Sequence, residues 1–204
     1  LLSILSSLTD AGLFAVAVIF GQVILFVPTI LFGSLFPNLS EIFVKNKEHV
    51  SHIISISLKL ISLTVLPLVI LFSFFSKDFI RLLYTESYLN AGSLFPSYLF
   101  GAFLWGMSSI LLLALYVSHK PLTRSILVGL NAILFIILSF ILIPSFGILG
   151  ASFSFLTTQV IIFVLSLYLF SKHIPINFSK RSLLVIPANL ILVSTMQTKM
   201  KKCL

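Results

Sequence analysis

Five long apolar runs alternate with short polar segments along the chain. They cover residues 11–35, 53–76, 94–117, 125–143 and 148–170, and only the second contains a charged side chain, Lys59. A helix of about 20 residues crosses the hydrocarbon core of a bilayer. A transmembrane β-strand would instead alternate apolar and polar residues over about ten positions. The pattern therefore predicts five transmembrane helices.

The composition also indicates a membrane protein. Of the 204 residues, 59% are hydrophobic and only 9% are charged, with a mean hydropathy of +1.20. Soluble domains carry roughly 25% charged residues, so this chain has too little polar surface to cover a soluble globule. Inside lipid its backbone groups must bond within each segment. The sequence predicts an all-α polytopic transmembrane helical bundle.

The last apolar segment, residues 183–193, is shorter than the others and contains Pro187 and Asn189. A segment of this length is too short to cross the bilayer comfortably, so we predict an incomplete sixth span. The predicted division is a transmembrane bundle over residues 1–182, followed by a short apolar segment and basic tail over residues 183–204.

Basic residues are distributed unevenly between the two sets of connections. One set has only Lys77 and Arg81. The other set has seven, namely Lys45, Lys47, Lys120, Arg124, Lys172, Lys180 and Arg181. Because cytoplasmic loops carry the excess of Lys and Arg, the larger set predicts the inner side of a multi-pass protein of the cytoplasmic membrane. This placement accounts for the net charge of +8 without a nucleic-acid partner.

The outer connection, residues 77–93, has a pattern of its own. Phe79, Leu82 and Leu83 recur at helical spacing beside Asp78 and Arg81. This pattern predicts a short helix that lies on the membrane surface.

The sequence carries no pattern typical of an enzyme. All five acidic residues lie outside the apolar runs, and the single cysteine, Cys203, has no partner for a disulfide or a metal site. His49 and His52 are three residues apart in a basic connection, where two solvated histidines are favoured over a metal or proton site. We predict no catalytic residue, no metal and no cofactor.

Lys59 is the one charged residue within a span, and two interpretations are open. Its long stem could reach the headgroups from a position about two turns from the inner end of the helix, and we favour this interpretation. Alternatively, it could lie on a polar stripe with Ser55, Ser62 and Ser73, which recur at helical spacing. Such a stripe should face protein or a hydrated cavity, where a cation could hold a phosphate.

Gln22 and Asn131 are amides inside the first and fourth spans. Gln22 shares a helical face with Ala15, Thr29 and Gly33. Amides within membrane helices usually bond to a neighbouring helix, and for both residues we favour this interpretation over contact with a substrate.

Small residues and prolines mark two further features. Gly150, Ser154 and Thr158 follow each other at four-residue spacing, which favours close approach of another helix in lipid. Pro28 and Pro67 lie inside their spans and should bend them.

An ordered set of short segments resembles a known family. Residues 35–40 read LFPNLS, residues 66–68 LPL, residues 79–84 FIRLLY, residues 88–91 YLNA and residues 142–152 LIPSFGILGAS, with Asn131 before the last segment. The order is similar to that of the polysaccharide-flippase branch of the multidrug/oligosaccharidyl-lipid/polysaccharide export superfamily. The resemblance covers about residues 11–172.

The resemblance implies a fold and a function. Members have two six-helix lobes that face each other across a polar or cationic cavity, and they move lipid-linked oligosaccharides across the membrane by alternating access. This chain would be the second lobe, from its second helix to its sixth, with the start of a further helix. Lys59, Gln22 and Asn131 would then line the cavity wall and contact the substrate. Transport would require the missing first lobe or a partner that replaces it, because one lobe cannot enclose the cavity.

Three alternatives remain open. A cation-coupled drug exporter of the same superfamily would need an intramembrane carboxylate, which the first lobe could hold. A membrane-embedded enzyme of glycan assembly would be expected to have a large outer loop. A truncated product could also act as a scaffold or have no function.

Overall fold

The computed structural model describes residues 7–45, 47–117 and 121–173. Within these ranges the elements are all helical: α1 (Leu8–Lys45), α2 (Lys47–Phe74), α3 (Ser76–Leu83), a 3₁₀-helix (Glu86–Leu94), α4 (Phe95–Val117), α5 (Pro121–Phe146) and α6 (Ile148–His173). Five segments are long and apolar enough to cross a membrane. The predicted all-α bundle with five spans is confirmed, and the predicted incomplete span at residues 183–193 lies outside the described residues.

The first predicted connection differs from expectation. Helix α1 continues ten residues past the predicted end of span one, and α2 begins at Lys47, so most of the predicted polar loop is helical. The physical reason is that polar residues can end the apolar, membrane-spanning part of a helix while the helix itself continues. At 1.5 Å per residue, α1 extends about 57 Å and outlasts its candidate span, Leu8–Pro37. Both α1 and α2 run on through their internal prolines, and bending there stays a prediction.

Helix α4 forms the centre of the bundle. It packs against α1 and α2 on one side and against α6 on the other, while α5 packs mainly against α6. Within the apolar stretch of each span, 78% of residues are buried in the third span, which contains α4, but only 17% in the fourth, which lies in α5. The sequence did not distinguish these two helices, because both are apolar all round.

Two glycines allow α4 to approach its neighbours closely. A Cβ atom on Gly101 would lie 2.8 Å from the ring of Phe155 on α6, and one on Gly106 would lie 2.6 Å from the ring of Pro28 on α1. Both distances are too short for a real side chain. In lipid, where packing drives helix association, such small residues hold helices together.

Helices α5 and α6 form a hairpin around Gly147. Its φ of 57° lies in the left-handed region that glycine adopts without steric cost. The predicted small-residue stripe on α6 is buried, and a Cβ on Gly150 would overlap the backbone carbonyl of Leu142 on α5. The hydroxyls of Ser154 and Thr158 donate to carbonyls of their own helix. The structure agrees with the predicted close approach.

Aromatic rings close the end of the bundle that carries the outer connection. Phe20 of α1 lies 4.7 Å from Phe95 of α4 and 5.4 Å from Phe72 of α2 between ring centroids. Phe79 of α3 stacks edge-on against Phe72 at 5.1 Å. The predicted short helix in this connection is confirmed as α3. We call Phe20, Phe72, Phe79 and Phe95 the plug, because their rings pack together at this end of the bundle.

Helix α3 has two different faces. Ile80 is fully buried, whereas Leu82 and Leu83 are 79% and 61% exposed. The prediction that Phe79, Leu82 and Leu83 share one face is therefore wrong. Phe79 packs against the bundle, whereas the two leucines point away from it. An exposed apolar edge at this level fits a helix at the membrane surface.

Candidate functional site

Gln22 lies on the side of α1 that no described helix covers. Ala15, Thr29 and Gly33 are exposed with it, so the predicted stripe exists and faces out of the bundle. The hydroxyl of Thr29 donates to the carbonyl of Leu25 at 2.8 Å, within its own helix. The expected bond from Gln22 to a neighbouring helix therefore needs a partner beyond the described residues.

Lys59 is also exposed, near the middle of its helix. The second candidate span is His49–Phe74, so Lys59 lies ten residues along it, which is about 15 Å of helix. The whole span is about 39 Å long and exceeds a hydrocarbon core of about 30 Å, so both interpretations of Lys59 stay open.

The serines predicted to share a stripe with Lys59 do not all face the same way. Ser62 is buried, and its hydroxyl has no described hydrogen-bond partner, which also holds for Ser73. Ser55 donates to the carbonyl of Ser51 at 2.8 Å. The stripe straddles the border between the core and the exterior, so only part of it could line a cavity.

Asn131 is tied to another helix. Its Oδ1 accepts a hydrogen bond of 3.3 Å from Nε2 of Gln159 on α6. This is the helix-to-helix bond that the residue types favoured, and contact of Asn131 with a substrate stays a prediction. Gln159 is only 2% exposed, and its Oε1 has no described partner.

Sequence reasoning missed Gln159, although a signal was present. Asn131 lies 16 residues before the turn at Gly147, and Gln159 lies 12 residues after it. In an antiparallel helical hairpin such residues come within about one helical turn of the same level. The structure joins this pair and places Gln22 and Lys59 on the neighbouring helices α1 and α2, without a described bond between either of them and Asn131.

A second polar feature lies at the opposite end of the bundle from α3. The guanidinium carbon of Arg124 on α5 is 5.6 Å from the ring centroid of Phe32 on α1 and 5.0 Å from that of Tyr116 on α4. Phe36 stacks on Phe32 at 6.5 Å and contacts Tyr116 at 5.5 Å. We call Phe32, Phe36, Tyr116 and Arg124 the arginine cage. The sequence identified Arg124 only as a determinant of orientation.

Two cavities adjoin the arginine cage. One of about 320 Å³ is lined by Tyr116, Arg124, Ser125 and Val128. The other, of about 260 Å³, is lined by Leu25, Pro28, Thr29, Phe32, Trp105, Gly106 and Ser109. Phe32 contributes to the second cavity and to the cage. The two cavities together mark an open side of α4 between α1 and α5.

Comparison with known proteins identifies the family. Residues 4–201 match the family described as lipid II flippase MurJ, whereas no curated protein and no solved structure matches the chain. This family is a member of the export superfamily that the sequence resembles, and the match narrows the predicted branch to flippases of a lipid-linked precursor. A flippase is a transporter rather than a catalyst. The chain, a multi-pass membrane protein with five apolar helices, belongs to the lipid II flippase MurJ family.

Proposed function

We propose that this chain is the second lobe of a flippase that moves lipid II across the cytoplasmic membrane. The observation that carries the proposal is the exposure of Gln22 and Lys59 from a bundle whose other polar side chains are largely turned inward or bonded to their own helices. In lipid, a lysine near the middle of a helix costs about 2.5–3.5 kcal/mol. A hydrated cavity shared with a first lobe removes that cost.

The charge on Lys59 fits the substrate class. A lipid-linked precursor with a pyrophosphate group presents anionic oxygens, and an ammonium group holds such oxygens as a point charge. Gln22 adds hydrogen-bonding groups on the adjoining helix α1. On this proposal the exposed faces of α1 and α2 form one wall of the transport path.

Alternating access supplies the transport step. The two lobes would rock about the bound head group, which exposes the cavity to the inner and then to the outer leaflet. Helix α4, buried between its neighbours, would keep this lobe rigid during the movement. The chain's own residues bind the head and exclude lipid from it, and no covalent step is required.

The test is complementation of a strain depleted of its own lipid II flippase, with the chain expressed from its complete reading frame. We expect Lys59→Ala to reduce growth and to leave lipid-linked precursor in the inner leaflet, while Lys59→Arg restores part of the activity. Lys77→Ala is the matched control, because Lys77 is exposed but lies on α3. If Lys59→Ala transports as well as the unaltered protein, the cavity function of Lys59 is wrong.

A further inference from the structure

We propose that the arginine cage holds the phosphate of an anionic membrane phospholipid, with one acyl chain lying along the open side of α4. The proposal rests on the geometry at one end of the bundle and is independent of the transport function. Its central group is Arg124, whose guanidinium lies over the rings of Phe32 and Tyr116.

The ring centroids of Phe32 and Tyr116 lie 5.6 Å and 5.0 Å from the guanidinium carbon of Arg124. A guanidinium group binds aromatic rings through its flat face and binds phosphate through the N–H groups at its edge. No carboxylate among the described residues pairs with Arg124. The cation is therefore fixed in place with its strongest donors available for an anion.

Arg124 lies near one end of a candidate span, the level at which lipid phosphates are expected. It is the third residue of the candidate span Leu122–Phe146, and Tyr116 lies one residue from the end of α4. Arginine and tyrosine at these positions are typical of the level where the headgroups meet the hydrocarbon. The adjoining cavity of about 320 Å³ adds Ser125 and the apolar side chain of Val128.

The neighbouring cavity provides a path for an acyl chain. Its walls are mostly apolar, and it leads from Phe32 toward Trp105 near the middle of α4. A cationic end joined to an apolar channel matches a lipid with a negative head. Among the described residues that line the two cavities there is no carboxylate to bind the ammonium group of a zwitterionic head, so an anionic phospholipid is the better fit.

Trp105 makes the proposal measurable, because it is the only tryptophan of the chain and it lines the acyl-chain path. The full chain is reconstituted in phosphatidylcholine vesicles that contain a minor fraction of brominated phosphatidylglycerol or brominated phosphatidylcholine. Bromine quenches indole fluorescence at short range. We expect brominated phosphatidylglycerol to quench Trp105 with a roughly fivefold higher apparent affinity, as one basic residue near a membrane surface provides.

Variants separate the cage from general surface charge. Arg124→Ala should abolish the preference, whereas Arg81→Ala, which removes an exposed arginine of α3, should leave it unchanged. Arg124→Lys keeps the charge without the planar group and should lower the preference without abolishing it. Circular dichroism of each variant confirms that the helices have formed.

Three results would overturn the proposal. They are equal quenching by the two brominated lipids, a preference that survives in Arg124→Ala, and a preference that is unchanged in Arg124→Lys. A fourth outcome concerns the occupant. If farnesyl pyrophosphate at concentrations well below that of phosphatidylglycerol relieves the quenching, a pyrophosphate lipid occupies the cage and the phospholipid assignment is wrong.

Discussion

Aromatic rings gather at both ends of the bundle, but they do different things there. At the predicted outer end, Phe20, Phe72, Phe79 and Phe95 pack against one another from four helices, with centroid distances of 4.7 to 6.2 Å. At the predicted inner end, two rings of the arginine cage contact a cation, and the cage adjoins open cavities. One end is a closed plug, and the other is an open site.

The difference follows from what each connection supplies. The outer connection folds into α3, which inserts Phe79 and Ile80 into the bundle and covers its end. The described part of the inner end instead presents the termini of α1, α4 and α5, with Arg124 among their rings. Aromatic content alone therefore does not reveal whether an end of a helical bundle is packed or is available for binding.

The largest effect on stability is expected when Phe95, the plug residue on α4, is truncated. Phe95 is fully buried against Phe20, so Phe95→Ala should lower the free energy of unfolding by about 3–5 kcal/mol, as for large core truncations. The measurement is loss of helicity in mixed micelles of increasing denaturing detergent. Phe100→Ala on the same helix is the control, because Phe100 is 41% exposed. Equal losses in both variants would contradict the plug.

Docking of α3 should contribute less. Phe79→Ala removes one ring from the contact with Phe72 and should cost about 2 kcal/mol, because α3 can partly fill the gap. Leu82→Ala on the exposed face of α3 should change stability by less than about 0.5 kcal/mol. Protease sensitivity of the connection reports on docking. If Leu82→Ala releases α3 as readily as Phe79→Ala, the two faces have been assigned wrongly.

At the inner end, the arginine cage should affect stability only slightly. A cation–π contact at a partly exposed site contributes about 0.5–1 kcal/mol, so Arg124→Ala should be no more destabilising than that in the same mixed micelles. A loss as large as that of Phe95→Ala would mean that the cage is a second plug.

The smallest effect on stability is expected from the hydrogen bond between Asn131 on α5 and Gln159 on α6. A double-mutant cycle of Asn131→Ala and Gln159→Ala should give a coupling free energy of about 0.6 kcal/mol, the average for hydrogen bonds between membrane helices. The measurement is again unfolding in mixed micelles. Additive single effects would show that the 3.3 Å contact contributes nothing, and that both amides remain available for other partners.

Much of the fold could be predicted from the sequence because a bilayer constrains it strongly. The length of each apolar run fixes the number of spans, and the pattern around Phe79 is sufficient to predict α3. The central position of α4 could not be predicted in this way. It depends on the fit of Gly101 and Gly106 against side chains distant in the sequence, and hydropathy does not encode such contacts.

The candidate site was less accessible to sequence reasoning. Residue type alone identified Lys59, Gln22 and Asn131, but it could not show that the first two face out of the bundle while the third bonds to Gln159. Arg124 was counted only as a loop charge. Its contacts with Phe32 and Tyr116 join three helices, and only a tertiary structure brings them together.

The most direct test of the account asks whether the exposed face of α1 meets water or lipid. In a Cys203→Ser background, Gln22→Cys and Ile136→Cys place thiols near the middle of α1 and α5, at residues that are both exposed from the bundle. A water-soluble maleimide, applied to the complete protein in intact cells and in inverted vesicles, should label Gln22→Cys and leave Ile136→Cys unmodified. If both thiols are equally protected, Gln22 faces lipid, and the proposal that this face lines a transport cavity is wrong.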